Sequence, residues 1–111
     1  MTDTVDLTNL HEMTDNDKEL EIALFEEFYS SSVESIATLE ANCTDGENEA
    51  WRAAAHALKG AAYNLGAHGL GDHCKNAQES HTASAAQKRM ILQAIQEEYV
   101  KVKQYLETVY S

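Results

Sequence analysis

Residues 56–60 hold a histidine, a lysine and a glycine in close succession, at His56, Lys59 and Gly60. The periodicity around them predicts a helix, whose interior disfavours glycine by about 1 kcal/mol relative to alanine. Because the chain uses alanine directly afterwards, at Ala61 and Ala62, the glycine indicates a place where something approaches closely. An unprotonated imidazole nitrogen is a nucleophile, and a nearby ammonium with free space beside it suits an incoming anion. These residue types therefore suggest chemistry on the histidine.

A helical wheel places this histidine away from the apolar side of its own helix. The expected core stripe covers about 120° of the helix surface: Trp51, Ala54, Ala55, Leu58, Ala61, Ala62 and Leu65. His56 lies about 160° from the centre of that stripe, with Gly60 and Tyr63 near it. Arg52 and Lys59 flank the same side. The wheel therefore predicts that His56 lies at or near the surface, beside two cations and an open position.

Amphipathic stretches separated by short polar turns predict one short N-terminal helix and four further helices. The short helix follows the N-cap Asp6, and its expected apolar positions are Leu7, Leu10 and Met13. The next helix covers about 15–41, with apolar positions at Ile22, Phe25, Tyr29, Val33, Ile36 and Leu39, and the core stripe described above lies in a helix over about 47–65. The last two helices have apolar positions at Leu70, Cys74 and Ala77, and at Ile91, Ile95, Tyr99, Val102, Leu106 and Val109. Gly66 suits a helix C-terminus, and Ser84 with Gln87 suits a capping box. Short connections favour antiparallel neighbours. We therefore expect an all-α fold, an antiparallel four-helix bundle with a short extra N-terminal helix, as a single domain over residues 1–111.

Charge and composition exclude several classes of protein. The formal net charge of −11 argues against nucleic acid and anionic membranes as partners. Residues 1–50 hold 14 acidic residues and one basic residue, a charge of −13, whereas residues 51–111 hold five acidic and seven basic residues, a charge of +2. The chain has no apolar run long enough to span a membrane, and its first ten residues lack the basic start and apolar middle of a signal peptide. Its two cysteines are too few for a disulfide framework. We expect a cytoplasmic protein whose histidine lies in its more basic half.

The segment HALKGAAYNLGAHGLGDHCKNAQ, residues 56–78, resembles the histidine phosphotransfer (HPt) domains of phosphorelays. The matching positions are His56, Leu58, Lys59, Gly60, Gly66, Ala67, Leu70, Cys74 and Gln78. The resemblance implies a four-helix bundle in which His56 accepts a phosphoryl group from a phospho-aspartate and passes it to another receiver domain. It implies response-regulator receiver domains and a hybrid histidine kinase as partners, and Mg²⁺ on the receiver rather than a cofactor in this chain. The chain has no ATP-binding glycine loop, so we expect a relay protein rather than a kinase, and we expect a monomer.

The resemblance also implies roles for residues around the histidine. Lys59 would hold the phosphoryl group and offset its charge, and Gln78 would hydrogen-bond near the site through its amide. Gly60 would give the receiver access. Arg52 lies outside the family pattern, and we assign it a supporting role. Tyr63 is bulky on the face where a receiver would dock, so it either belongs to the docking surface or lies flat beside it.

Two other functions are compatible with a helical bundle. One is metal binding, because His68, His73 and Cys74 lie close in sequence and His56 could join them. Their spacing is poor for this, since His68 and His73 are five residues apart and helical ligand pairs usually lie four apart. The other is a non-catalytic helical adaptor, in which the histidine has no chemistry.

Overall fold

Among the described residues, four longer helices pack in a ring, and a short N-terminal helix packs against one of them. The computed structural model describes residues 4–110, and Met1–Asp3 and Ser111 of the expected domain lie outside that range. In chain order the helices are α1 (Thr8–Thr14), α2 (Lys18–Ala41), α3 (Glu49–Leu65), α4 (His68–Glu79) and α5 (Ala85–Val109). Helix α3 packs against α2 and α4, α5 packs against α4 and α2, and α1 packs on α2. The predicted all-α bundle with an extra N-terminal helix is confirmed.

Side chains cap α2, α3 and α5 at their N-termini, where the first backbone N–H groups have no helical partner. Asn48 caps α3 by accepting from the N–H of Trp51 at 3.0 Å. The capping box expected at the start of α5 is present: Ser84 accepts from the backbone of Gln87, and the Gln87 side chain accepts from the backbone of Ser84. These local signals are why α3 and α5 begin within about two residues of the expected positions.

The buried face of α2 is rotated relative to the expected stripe. Phe25 and Leu39 are buried as expected, but Val33 is 59% exposed. Phe28 and Ser32 are buried instead. Two overlapping rows of residues on α2 share the spacing of three and four, and the neighbouring helices cover the row that contains Phe28, while Tyr29 and Ile36 of the expected row are partly buried against the core. The expectation for Val33 was therefore wrong.

Near the two ends of the chain, the start of α1 and the burial of two apolar residues differ from expectation. Helix α1 begins at Thr8 rather than directly after Asp6, whose carboxylate accepts the backbone N–H of Thr8 at 3.0 Å. Leu10 is buried, but Met13 is 70% exposed and Val109 is 48% exposed. These two apolar residues continue a helical pattern past the point where a neighbouring helix covers it.

Both cysteines are free thiols. Cys74 is fully buried, and burial raises its pKa to about 12. Cys43 is half-buried, and burial raises its pKa as well. Within residues 4–110, none of the helices has the length and apolar character of a membrane span.

A buried carboxylate joins α1, α2 and the C-terminal end of α5. Glu21 is 3% exposed. One of its oxygens accepts hydrogen bonds from the Thr14 hydroxyl at 2.7 Å and from Nδ1 of His11 at 2.8 Å, and the other accepts from the Tyr110 hydroxyl at 2.7 Å. Burial alone would raise the pKa of Glu21, but these hydrogen bonds to its ionised form lower it overall.

We predict that Glu21→Gln destabilises the protein at neutral pH by about 1–3 kcal/mol, because an amide cannot accept from all three donors. A depressed pKa contributes stability above the ordinary carboxyl pKa of 4.5 and loses that contribution as the pH falls through the folded-state pKa. The difference in free energy of unfolding between the wild type and the variant should therefore shrink below that pH. Urea unfolding of both proteins at pH 7 and pH 3.5, followed by circular dichroism, measures it. An equal difference at the two pH values would contradict this account of Glu21.

Candidate functional site

His56 lies on the exposed side of α3, as the helical wheel predicts. Six of the seven stripe residues are buried: Trp51, Ala54, Ala55, Leu58, Ala62 and Leu65. The seventh, Ala61, is half-buried and packs against the core. Burial of this apolar face fixes the rotation of α3 about its own axis, and the imidazole on the opposite side is therefore exposed to solvent.

Gln78 of α4 contacts the imidazole. Its Oε1 lies 3.3 Å from Nδ1 of His56, a long hydrogen bond. A carbonyl oxygen only accepts, so this contact is a hydrogen bond in the tautomer whose proton lies on Nδ1. In the neutral ring the lone pair then lies on Nε2, the nitrogen farther from the backbone. In that tautomer Nε2 is the ring nitrogen whose lone pair can act as a nucleophile.

The two cations and the glycine near His56 differ in their surroundings. Arg52 pairs with Glu49 at 3.4 Å, and both side chains are exposed, so this pair contributes little to stability. Lys59 is half-buried, and no carboxylate of residues 4–110 lies within ion-pair distance of it. Gly60 is exposed, and a Cβ added there would meet no atom within 4 Å. The glycine therefore answers no packing need of this chain, and the space beside the imidazole is open.

Tyr63 lies against α4 rather than projecting into solvent. Its hydroxyl donates to Asp72 at 2.6 Å, and its ring contacts Gly71. The hydrogen bond to Asp72, with burial, raises the pKa of Tyr63 to about 12. Tyr63 lies two helical turns beyond His56 on α3, so the Tyr63–Asp72 contact and the His56–Gln78 contact lie along the same α3–α4 seam.

Asp72 and Gly71 were not singled out as site residues from the sequence. A glycine in the interior of α4 was the available signal, because a glycine that faces a neighbouring helix marks a close approach. The partner in that approach, the ring of Tyr63, depends on how α4 is placed against α3, which a single sequence does not display.

The histidines and the cysteine considered for metal binding do not come together. Cys74 is fully buried in the core, whereas His68 is exposed and lies near Tyr63, with ring centroids 6.1 Å apart. Among residues 4–110, no three His, Cys, Asp or Glu side chains form a group that could hold a metal ion.

Gly60 and Gly71 should respond oppositely to alanine. Gly60→Ala should raise the free energy of unfolding by about 0.5–1 kcal/mol, because the methyl group meets open space and alanine favours a helix. Gly71→Ala should lower it by about 1–3 kcal/mol, because its Cβ would overlap the ring of Tyr63. Thermal and urea unfolding of the two variants measure the difference. If Gly71→Ala were as stable as Gly60→Ala, Tyr63 would not pack on α4 as described.

Comparison with protein families gives a match that spans most of the chain. The family model of the Hpt domain matches residues 23–109, so it covers α3, α4 and α5 completely and most of α2. No curated protein and no solved structure gives a significant match. Hpt domains are helical modules of histidine phosphotransfer in phosphorelays, distinct from kinases, and they interact with receiver domains and histidine kinases. The chain belongs to the Hpt domain family.

Proposed function

We propose that this protein carries a phosphoryl group on Nε2 of His56, taking it from the aspartyl phosphate of one receiver domain and passing it to the aspartate of another. The observation that carries the proposal is the contact between Nδ1 of His56 and Oε1 of Gln78 at an exposed position of a family member. In this proposal Nδ1 donates its proton to Oε1 of Gln78, and the lone pair that accepts the phosphoryl group lies on Nε2.

The bonds that change in the transfer step lie between the imidazole, phosphorus and the aspartyl oxygen. The Nε2 lone pair forms a bond to phosphorus while the bond between phosphorus and the aspartyl oxygen breaks, and the aspartate leaves as a carboxylate with the bonding electrons. The proton on Nδ1 stays in place, so the phosphorylated ring becomes cationic. Oε1 of Gln78 supports this change, because a hydrogen bond to a charged donor is stronger than one to a neutral donor. The reverse reaction delivers the group to the next receiver.

The residues around the imidazole have different parts in this proposal. Lys59 has no carboxylate partner among the described residues, so its ammonium is free to approach the phosphoryl oxygens. Gly60 leaves room for the receiver next to the ring. Arg52 adds positive charge at the edge of the site, although it is shared with Glu49. Tyr63 lies flat along α4 and forms part of the surface that the receiver covers, with its hydroxyl already bonded to Asp72.

In this proposal the receiver domain supplies a divalent cation. Phosphoryl transfer depends on in-line geometry and on neutralising the phosphoryl charge, which a divalent cation commonly provides. We place that cation, Mg²⁺, in the acidic pocket of the receiver domain. The proposed donors and acceptors are response-regulator receivers and the receiver of a hybrid histidine kinase, and we propose that the protein meets them as a monomer.

His56→Gln should abolish phosphoryl acceptance and leave the helical content unchanged, because the exposed ring contributes no core packing. Receiver domains phosphorylated with labelled acetyl phosphate are mixed with each variant, and acid-labile, alkali-stable label on this protein is counted. His73→Gln is the matched control, since it removes another imidazole outside the site and should keep full transfer. Label arriving on the His56→Gln protein would show that the phospho-acceptor is a different residue. No label on the wild type from any receiver would favour the non-catalytic adaptor.

A further inference from the structure

The indole of Trp51 forms a hydrogen bond across the α3–α4 seam. Trp51 is fully buried in the first turn of α3, and its Nε1–H donates to the backbone carbonyl of Ala77 at 2.7 Å. A buried indole N–H needs such a partner, because leaving it unpaired would cost the free energy of its lost hydration. The bond joins the start of α3 to the last turn of α4.

The indole contacts a carbonyl in the last turn of α4, where the helix supplies no N–H donor four residues further along. Ala77 is among the last four residues of α4, whose carbonyls lack an N–H donor from the following turn. The backbone N–H of Ser80 reaches this carbonyl at 3.2 Å, and the indole reaches it at the shorter distance of 2.7 Å. Last turns fray easily, and here α3 holds the turn in place.

The residue that follows Ala77 is Gln78, whose side chain contacts His56. Trp51 itself lies about 140° around α3 from His56, so the indole acts from the core side and the imidazole from the solvent side. The indole therefore does not contact the imidazole, and it can affect the hydrogen bond of the imidazole only through the backbone of α4 and the side chain of Gln78.

The indole is itself held from a third helix. Lys88 of α5 is fully buried, and its Nζ lies 5.8 Å from the centroid of the Trp51 ring. The same Nζ donates to the carbonyls of Thr44 at 2.7 Å and Gly46 at 2.6 Å, in the connection between α2 and α3. The ammonium is thus fixed by two carbonyls while it contacts the ring face, which limits the movement of the indole.

We propose that Trp51 is a positioning residue for phosphotransfer: its hydrogen bond to Ala77 holds Gln78 where it fixes the proton on Nδ1 of His56. This inference rests on the proposed function for its kinetic consequence. Its structural consequence, the proton position on His56, does not require any phosphoryl donor.

The test compares Trp51→Phe, Gln78→Ala and the double variant with the wild type. The rate of His56 phosphorylation by phosphoramidate, a small donor that needs no receiver, should fall about threefold to tenfold in each single variant, the effect expected of one hydrogen bond. If Trp51 acts through Gln78, the double variant should be no slower than Gln78→Ala alone. Leu106→Val is the matched control, because it loosens the core at the other end of α5, about 27 Å from Lys88 along the helix, and should keep the wild-type rate.

Nitrogen NMR of the imidazole gives the readout that a purely structural role would not change. The fraction of His56 with its proton on Nδ1 should fall in Trp51→Phe and stay at the wild-type value in Leu106→Val. If Trp51→Phe does not fold, benzothienylalanine at position 51 keeps the ring shape and removes only the N–H donor. The proposal is overturned if the proton stays on Nδ1 without the indole donor. It is also overturned if Trp51→Phe lowers the rate of His56 phosphorylation by the same factor in the Gln78→Ala background as in the wild type. If the wild type takes no phosphoryl group at all, the proposed function fails, and the proton position still decides whether Trp51 positions the imidazole.

Discussion

The reversal of the chain at Gly66 is the constraint on which the site depends. Gly66 adopts a left-handed conformation with φ +97°, and the carbonyl of Asp6 occupies the place where a side chain would be. Its N–H donates to the carbonyls of Ala62 and Tyr63, which ends α3 at Leu65, and only Gly66 and Ala67 separate α3 from α4. With so short a connection α4 must run back along α3. Residues 22 positions apart in sequence, His56 and Gln78, therefore meet.

Two buried polar groups secure opposite ends of the bundle. Glu21 joins α1 and α2 to the last residues of α5, and Lys88 joins the start of α5 to the connection between α2 and α3. Each is satisfied by several hydrogen bonds, which offset the cost of removing a charged group from water. The imidazole lies between these ends, on a helix whose rotation is fixed by its apolar face. An imidazole held in this way loses little conformational entropy when a partner binds.

The part of the fold that could be predicted from sequence is the part encoded locally. The apolar stripe of α3, the capping box at Ser84 and the helix end at Gly66 depend on neighbours in sequence, and the exposure of His56 follows from the same stripe. The rotation of α2 and the burial of Lys88 depend instead on which helices lie alongside. Gln78 could be proposed from the resemblance to HPt domains, but that its Oε1 faces Nδ1 is a tertiary fact. The hydrogen bond of Trp51 could not be predicted for the same reason, because the apolar stripe predicts that the indole is buried but not which group accepts its N–H.

The central claim is that the α3–α4 seam leaves Nε2 of His56 as the nucleophile. Phosphorus and nitrogen NMR of the phosphorylated protein, with ¹⁵N in its histidines, tests this most directly, because the coupling between the two nuclei identifies the nitrogen that carries the phosphoryl group. The structure predicts a single phosphohistidine, with the phosphoryl group on Nε2 of His56 and the proton on Nδ1. A phosphoryl group on Nδ1, or on another histidine, would contradict the account.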